Sequence, residues 1–194
     1  MLSIIVCFLI IASCATAFLG MITKPSKTYL ASSSSSSSLS MVAKSFYDIE
    51  EVDSKGKTVK FDQFKGKVVY GVNVASKCGY TASGYALLSK LSKMEGVEVA
   101  LFPCNQFGGQ EPGSDKEIDS FCALKGVEGA NVFTKADVNG ANTRPTYEYV
   151  KKQLRMPLVM WNFAGKFIVD KEGNVLPVKN EKNLEKDLQK LVEK

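Results

Sequence analysis

The sequence predicts a single α/β domain with a central mixed sheet flanked by helices, and three observations carry that expectation. A chain of 194 residues, 45% hydrophobic and 23% charged, is of the size and composition that builds one substantial core. The stretch "KVVYGVNV" (67–74) is almost continuously apolar, as in a strand buried on both faces. After it, Leu87, Leu88, Leu91 and Met94 recur at helical spacing before "VEVALFP" (97–103) returns to strand character. Strand, helix, strand in that order favours parallel pairing through a right-handed crossover.

The remaining elements follow in order. Ahead of the apolar strand, "FYDIEEVDSKGKTVKFDQFKG" (46–66) reads as short strands parted by Gly and Asp turns. Thr81 to Met94 is the expected helix. In "GSDKEIDSFCALKG" (113–126), Ser114 is placed to cap a helix, acids fill its first turn and Gly126 stops it, which sets Cys122 late in that helix. "NVFTKADVNG" (131–140) reads as strand and turn, and "RPTYEYVKKQL" (144–154) as a helix with Pro145 in its first turn. "FIVDKEGNVLPV" (167–178) alternates around Glu172-Gly173 like a hairpin, and an amphipathic helix ends the chain. This order is that of a thioredoxin-like α/β domain with an inserted segment, without an internal repeat or a second domain.

The front end reads as addressing sequence rather than fold. An apolar run from Leu2 to Ala12 precedes Ala15-Thr16-Ala17, small residues at the spacing a signal peptidase accepts. Such a run is shorter than the roughly 20 apolar residues of a membrane span, so the protein is not expected to be an integral membrane protein. Residues 18–44 contain seven consecutive serines (32–38), three lysines and no acid, the composition of a transit peptide. Residues 1–17 are thus expected to be a signal peptide, 18–44 a transit or Ser-rich unfolded segment, and 45–194 the folded domain. A signal followed by a transit segment points to a plastid surrounded by endomembrane; the secretory pathway is the alternative. Lys24, Lys27 and Lys44 account for most of the formal charge of +5, so the domain itself is nearly neutral and lacks the basic footprint of a nucleic-acid binder.

Histidine is absent, and Cys7 and Cys14 fall in the presequence, leaving Cys78, Cys104 and Cys122. Three is odd for a disulfide scaffold, and the common Cys/His metal sets are unavailable, so neither metal nor cofactor is expected. A redox role for two of the three is the better expectation. Cys78 in "NVASKCGYT" (73–81) lies between the buried strand and the following helix, where the positive helix end favours a thiolate. A small buried hydrophobe remains the alternative on this segment alone.

Two further segments, "FPCNQFGGQEPGS" (102–114) and "WNFAGKFIVD" (161–170), together with "NVASKCGYT" strongly resemble the glutathione peroxidase family, over a range from about Phe46 to the C-terminus. The resemblance implies that Cys78 is the peroxide-attacking thiol and that Gln110, Trp161 and Asn162 complete its catalytic set. Each of the three is a neutral hydrogen-bond donor, able to stabilise a thiolate and a departing alkoxide without an imidazole. Taken singly, Trp161 would read as a core anchor, Asn162 as a turn cap and Gln110 as a solvated loop residue. Cys104 reads as a packed, inert thiol.

Cys122, in "IDSFCALKG" (118–126), matches the resolving cysteine of family members that use thioredoxin. The implied partners are hydroperoxide substrates, including lipid hydroperoxides, and thioredoxin as reductant, with glutathione as the alternative; a peroxide sensor that relays its oxidation to a partner protein is the competing reading. A helix cysteine facing the core is the bland one for Cys122. Only "RMPLV" (155–159) separates the "RPTYEYVKKQL" helix from Met160-Trp161-Asn162, shorter than in many relatives, which implies a monomer or weak dimer. Met160 stands where a charged residue often precedes the Trp-Asn pair, and neither of the two arginines, Arg144 and Arg155, matches a glutathione-binding position.

Overall fold

The computed structural model describes residues 43–194; the expected signal peptide and all but the end of the Ser-rich segment lie outside the described residues. A five-stranded mixed sheet forms the centre, in the order β5-β4-β3-β6-β7. Its parallel half comprises β3 (Val68–Val74), β4 (Val97–Pro103) and β5 (Asn131–Val132), and its antiparallel half adds β6 (Phe167–Val169) and β7 (Val175–Pro177). A separate hairpin, β1 (Glu50–Val52) with β2 (Thr58–Lys60), precedes it. The helices are α1 (Thr81–Leu91), α2 (Asp115–Leu124), α3 (Pro145–Leu154) and α4 (Leu184–Glu193).

All seven residues of β3 are buried, as its apolar run requires. Because successive side chains point to opposite faces, this strand feeds two cores. Val68, Tyr70, Val72 and Val74 pack with Tyr85, Leu88 and Leu91 of α1, Ile118 and Cys122 of α2, and Leu184 and Leu188 of α4. Val69 joins Phe46, Phe61, Phe64, Phe102, Phe133, Tyr147 and Val150 on the other face. Gly71 lets β3 approach β6, since a Cβ there would sit 2.2 Å from the Phe167 ring.

The α2 start is as the sequence predicts. Ser114 Oγ accepts from the Glu117 amide, and the Glu117 carboxylate accepts from the Ser114 amide. Pro145 opens α3, and the β6–β7 hairpin turns where expected.

Three boundaries differ from expectation. Helix α1 ends at Leu91 rather than Met94, because Met94 reaches the core from the turn beyond the helix and prolongs the apolar pattern without prolonging the hydrogen bonding. Strand β5 keeps two residues of a longer apparent strand. In the N-terminal segment, 3-10 turns at Phe46–Asp48 and Phe61–Phe64 replace strand, their phenylalanines filling the core beneath α3.

Arg144, unassigned by sequence, is structural. Its guanidinium donates to both Glu51 oxygens at 3.2 and 3.0 Å, and Thr146 donates to Glu51 Oε1 through its amide at 3.0 Å and its hydroxyl at 2.7 Å. Glu51 and Arg144 are both buried, so this network clamps β1 to the start of α3.

Candidate active site

At the carboxyl ends of β3 and β4, the segment carrying Cys78, the loop carrying Gln110 and the segment carrying Trp161 and Asn162 lie against one another. Cys78 sits three residues before α1, 9% exposed and the least buried of the three described cysteines. Its loop is fixed by Thr81, whose hydroxyl accepts from the Cys78 amide at 3.0 Å and donates to the Ala75 carbonyl at 2.8 Å. The Tyr80 amide, one of the free N–H groups at the head of α1, points at the Cys78 sulfur at 3.5 Å. Lys77, by contrast, is exposed.

Gln110 is tied to that loop by its backbone carbonyl, which accepts from the Lys77 amide at 3.0 Å. Its side-chain Oε1 accepts from Asn162 Nδ2 at 2.9 Å, a direct contact between residues 52 apart in the chain. Asn162 is almost fully buried, and its Oδ1 has no hydrogen-bond partner among the described residues. Trp161 is 42% exposed, not the core anchor its type suggests, and its ring lies 5.8 Å from that of Phe107. The Cys78, Gln110 and Trp161-Asn162 segments therefore meet at one end of the sheet, with the Tyr80 amide the nearest described donor to sulfur.

Three positioning residues were missed by sequence reasoning. Asn73, fully buried in β3, donates to the Trp161 carbonyl at 3.0 Å and accepts from the Gly165 amide at 2.7 Å, while its backbone carbonyl accepts from the Phe163 amide at 2.9 Å. A polar residue inside an otherwise apolar run was the available signal. Phe163 holds a left-handed backbone at φ 61°, unfavourable for a bulky residue, and its ring packs into the notch that Gly84 leaves in α1. No signal in the sequence marked it.

Glu111 is fully buried beside Gln110. Its Oε1 accepts from Ser76 Oγ at 2.6 Å, and its Oε2 has no partner among the described residues. Burial raises its carboxyl above the usual range, with the Ser76 hydrogen bond opposing. The one acid in a glycine-rich loop of otherwise uncharged residues was its signal.

Cys122 lies in the last turns of α2, buried, with its sulfur 3.6 Å from Tyr85 Oη. Burial pushes its thiol up to about 11. Cys78 and Cys122 share one core cluster, and all three described cysteines are free. Cys104 belongs to the opposite core, fully buried, with its thiol also raised by burial. Among the described residues no group of three or more Cys, Asp or Glu could hold a metal ion, and no helix is long and apolar enough to cross a membrane.

The glutathione peroxidase family model matches residues 46–151, more than half of the chain. The chain belongs to the glutathione peroxidase family. That match includes Cys78, Gln110 and Cys122 and stops before the Trp161-Asn162 pair. The chain is 44% identical over 159 residues to the phospholipid hydroperoxide glutathione peroxidase 1, chloroplastic, of Arabidopsis thaliana, covering 77% of this chain and 67% of the relative. It is 50% identical over 136 residues to the glutathione peroxidase-like peroxiredoxin HYR1 of Saccharomyces cerevisiae, covering 67% and 83%.

The crystal structure of T. cruzi GPX1 superposes with a TM-score of 0.61 at 30% identity, over 77% of this chain and 97% of that one. A thioredoxin-like protein from Aeropyrum pernix, at 18% identity and a TM-score of 0.52 over 74% and 89% of the two chains, shares the fold. This glutathione peroxidase family member thus has the thioredoxin-like fold and is an enzyme of the thiol peroxidase class.

Proposed function

We propose that the enzyme reduces hydrogen peroxide and organic or lipid hydroperoxides through Cys78, with Gln110, Trp161 and Asn162 as its hydrogen-bonding set, Cys122 as the resolving thiol and thioredoxin as the reductant. The observation that carries this reading is the meeting of the three segments: the Lys77 amide on the Gln110 carbonyl at 3.0 Å, and the Asn162 amide on the Gln110 side chain at 2.9 Å.

The Cys78 thiolate attacks the outer peroxide oxygen, the O–O bond breaks, and the alkoxide leaves with a proton as ROH, giving a sulfenic acid. Neutral donors at this end of the sheet stabilise the thiolate before the step and the alkoxide during it. The Cys122 sulfur then displaces hydroxide from the Cys78 sulfenic acid. The Cys122 proton and that hydroxide leave as water, and a Cys78–Cys122 disulfide forms. A thioredoxin dithiol reduces it by exchange, becoming a disulfide itself.

In the reduced state Cys122 is occupied with Tyr85 inside the core, so the second step requires α2 to unwind locally. Helix α2 ends against Gly126 at φ 72°, and Gly129 follows at φ 73°.

The domain from residue 45, without its presequence, is the acting species. The chloroplastic Arabidopsis relative and the signal-plus-transit composition support delivery to a plastid. The short α3-to-Trp161 connection supports a monomer or weak dimer.

Steady-state NADPH oxidation with thioredoxin and thioredoxin reductase tests the cycle. Cys78→Ser is expected to abolish turnover, and Cys122→Ser to consume one equivalent of peroxide and then stall. Sustained thioredoxin turnover by Cys122→Ser would remove Cys122 from the cycle. A peroxide-oxidised wild type that no thioredoxin reduces would favour a sensor instead.

A further inference from the structure

Helix α2 is held unevenly along its length. Its first half is pinned to the rest of the domain by side-chain bonds. The Asp115 carboxylate accepts from the Thr134 hydroxyl and from the Lys135 amide at 2.7 Å, and Asp119 accepts at 2.9 Å from the hydroxyl of Ser54, in the turn between β1 and β2. Ile118 anchors the same half in the core. In the second half Cys122 is the one buried residue between 121 and 126, while Ala123, Leu124 and Lys125 face solvent, Leu124 at 81%.

Apart from Val127, buried just beyond the helix, one face of α1 holds that second half. Tyr85 and Ser89 are four residues apart and so lie one turn apart on the same face. The Tyr85 ring meets the Phe121 ring edge-on, with 5.1 Å between centroids. Its hydroxyl lies 3.6 Å from the Cys122 sulfur, the one hydrogen-bond partner it has among the described residues. Ser89 Oγ donates to the Gly126 carbonyl at 2.8 Å and so fixes the left-handed residue that ends α2. Cys122 leaves the core by breaking the first bond, and Gly126 follows the unwinding turn by breaking the second. Neither bond involves the Cys78 loop.

We propose that Tyr85 and Ser89 form a latch that times the second chemical step: they keep Cys122 shut in after Cys78 is oxidised, and so set how long the sulfenic acid stays open to a second hydroperoxide. In that interval a second ROOH transfers one oxygen atom to the Cys78 sulfenate, leaving ROH and a sulfinate that thiols do not reduce. The latch therefore divides oxidised Cys78 between a disulfide, which is recycled, and a sulfinic acid, which is not. Both are positioning residues, acting through Cys122 and Gly126. The inference rests on Cys122 as the resolving thiol and names the side chains that govern its release.

Single-turnover oxidation of the reduced protein separates the two steps, as loss of the Cys78 thiol and as appearance of the Cys78–Cys122 disulfide. Tyr85→Phe keeps the aromatic contacts and deletes the hydroxyl, and Ser89→Ala deletes the other bond. Each is expected to speed disulfide formation about fivefold, equivalent to about 1 kcal/mol for one hydrogen bond, and to leave the rate of Cys78 oxidation unchanged. At peroxide concentrations where little sulfinic acid forms, its fraction, read by mass spectrometry, is expected to fall by the same factor. General loosening of the fold would alter both steps together. Ser54→Ala, which frees the pinned half of α2, is expected to leave disulfide formation at the wild-type rate.

Equal acceleration by Ser54→Ala would mean that α2 releases as a whole, and it overturns the latch. A wild type that forms no Cys78–Cys122 disulfide refutes the resolving role and takes the proposal with it. A disulfide that forms in wild type, and at an unaltered rate in Tyr85→Phe and Ser89→Ala, refutes the latch alone.

Discussion

Gly84→Ala isolates the link between α1 and the Trp161-Asn162 pair. In the interior of a helix this change ordinarily stabilises by about 1 kcal/mol. Here the new Cβ would lie 2.6 and 2.7 Å from two atoms of the Phe163 ring, where ordinary contact begins at 3.4 Å. The ring must therefore retreat by roughly 1 Å, and overpacking of this kind costs about 1–3 kcal/mol. The net expectation lies between no change and a loss of about 2 kcal/mol, instead of the usual gain.

The effect on activity is larger than the effect on stability. Phe163 is already held at φ 61°, one residue after Asn162, so its displacement is transmitted to the amide that contacts Gln110. A misplacement of about 1 Å is worth roughly 100-fold in rate. Urea denaturation gives the first quantity. The second comes from single-turnover oxidation of Cys78, followed through loss of titratable thiol. A Gly84→Ala protein about 1 kcal/mol more stable than wild type and oxidised at the wild-type rate would refute the wedge.

Three further outcomes are expected. Cys122 has its thiol raised from 9.0 to about 11, so its contribution is complete below pH 9 and is lost as pH rises through 11. At about 1.4 kcal/mol per unit this is about 3 kcal/mol, and urea unfolding of reduced wild type should weaken across that window more steeply than unfolding of Cys122→Ala. Asn73→Leu leaves the Trp161 carbonyl and the Gly165 amide unpaired in the core, which costs about 2–6 kcal/mol for two buried groups; calorimetric unfolding and peroxide turnover should both fall, and retained turnover would disprove its positioning role. Glu111, with its carboxyl raised by burial, contributes stability below the ordinary 4.5 that is lost as pH rises through the raised value. Glu111→Gln should flatten the acid-side pH dependence of the unfolding midpoint, and an unchanged profile would show that the carboxyl ionises without penalty.

What the sequence made legible depended on how local its cause was. Strand β3 stood out because burial on both faces leaves no polar alternation, and α2 because its cap and first-turn acids are neighbours in the chain. The length of α1 was overread because Met94 serves the core from outside the helix. The Gln110–Asn162 contact joins positions 52 apart, and only resemblance to a family, not periodicity or spacing, could pair them. Phe163 was invisible, because its significance lies in a backbone angle and a missing Cβ on another element.

The two sulfurs of the proposed cycle answer opposite demands, and the fold separates them accordingly. Cys78 must meet peroxide, and it lies at a strand end with the Tyr80 amide on its sulfur. Cys122 must not react first. Burial keeps it a thiol, with its titration displaced to about 11, and thiolate rather than thiol is the nucleophile. It therefore does not compete for peroxide until α2 opens. A chain without histidine needs this division: with no base on hand to switch a thiol on, reactivity is controlled by where each sulfur sits, and the order of the two steps follows from the cost of exposing the second.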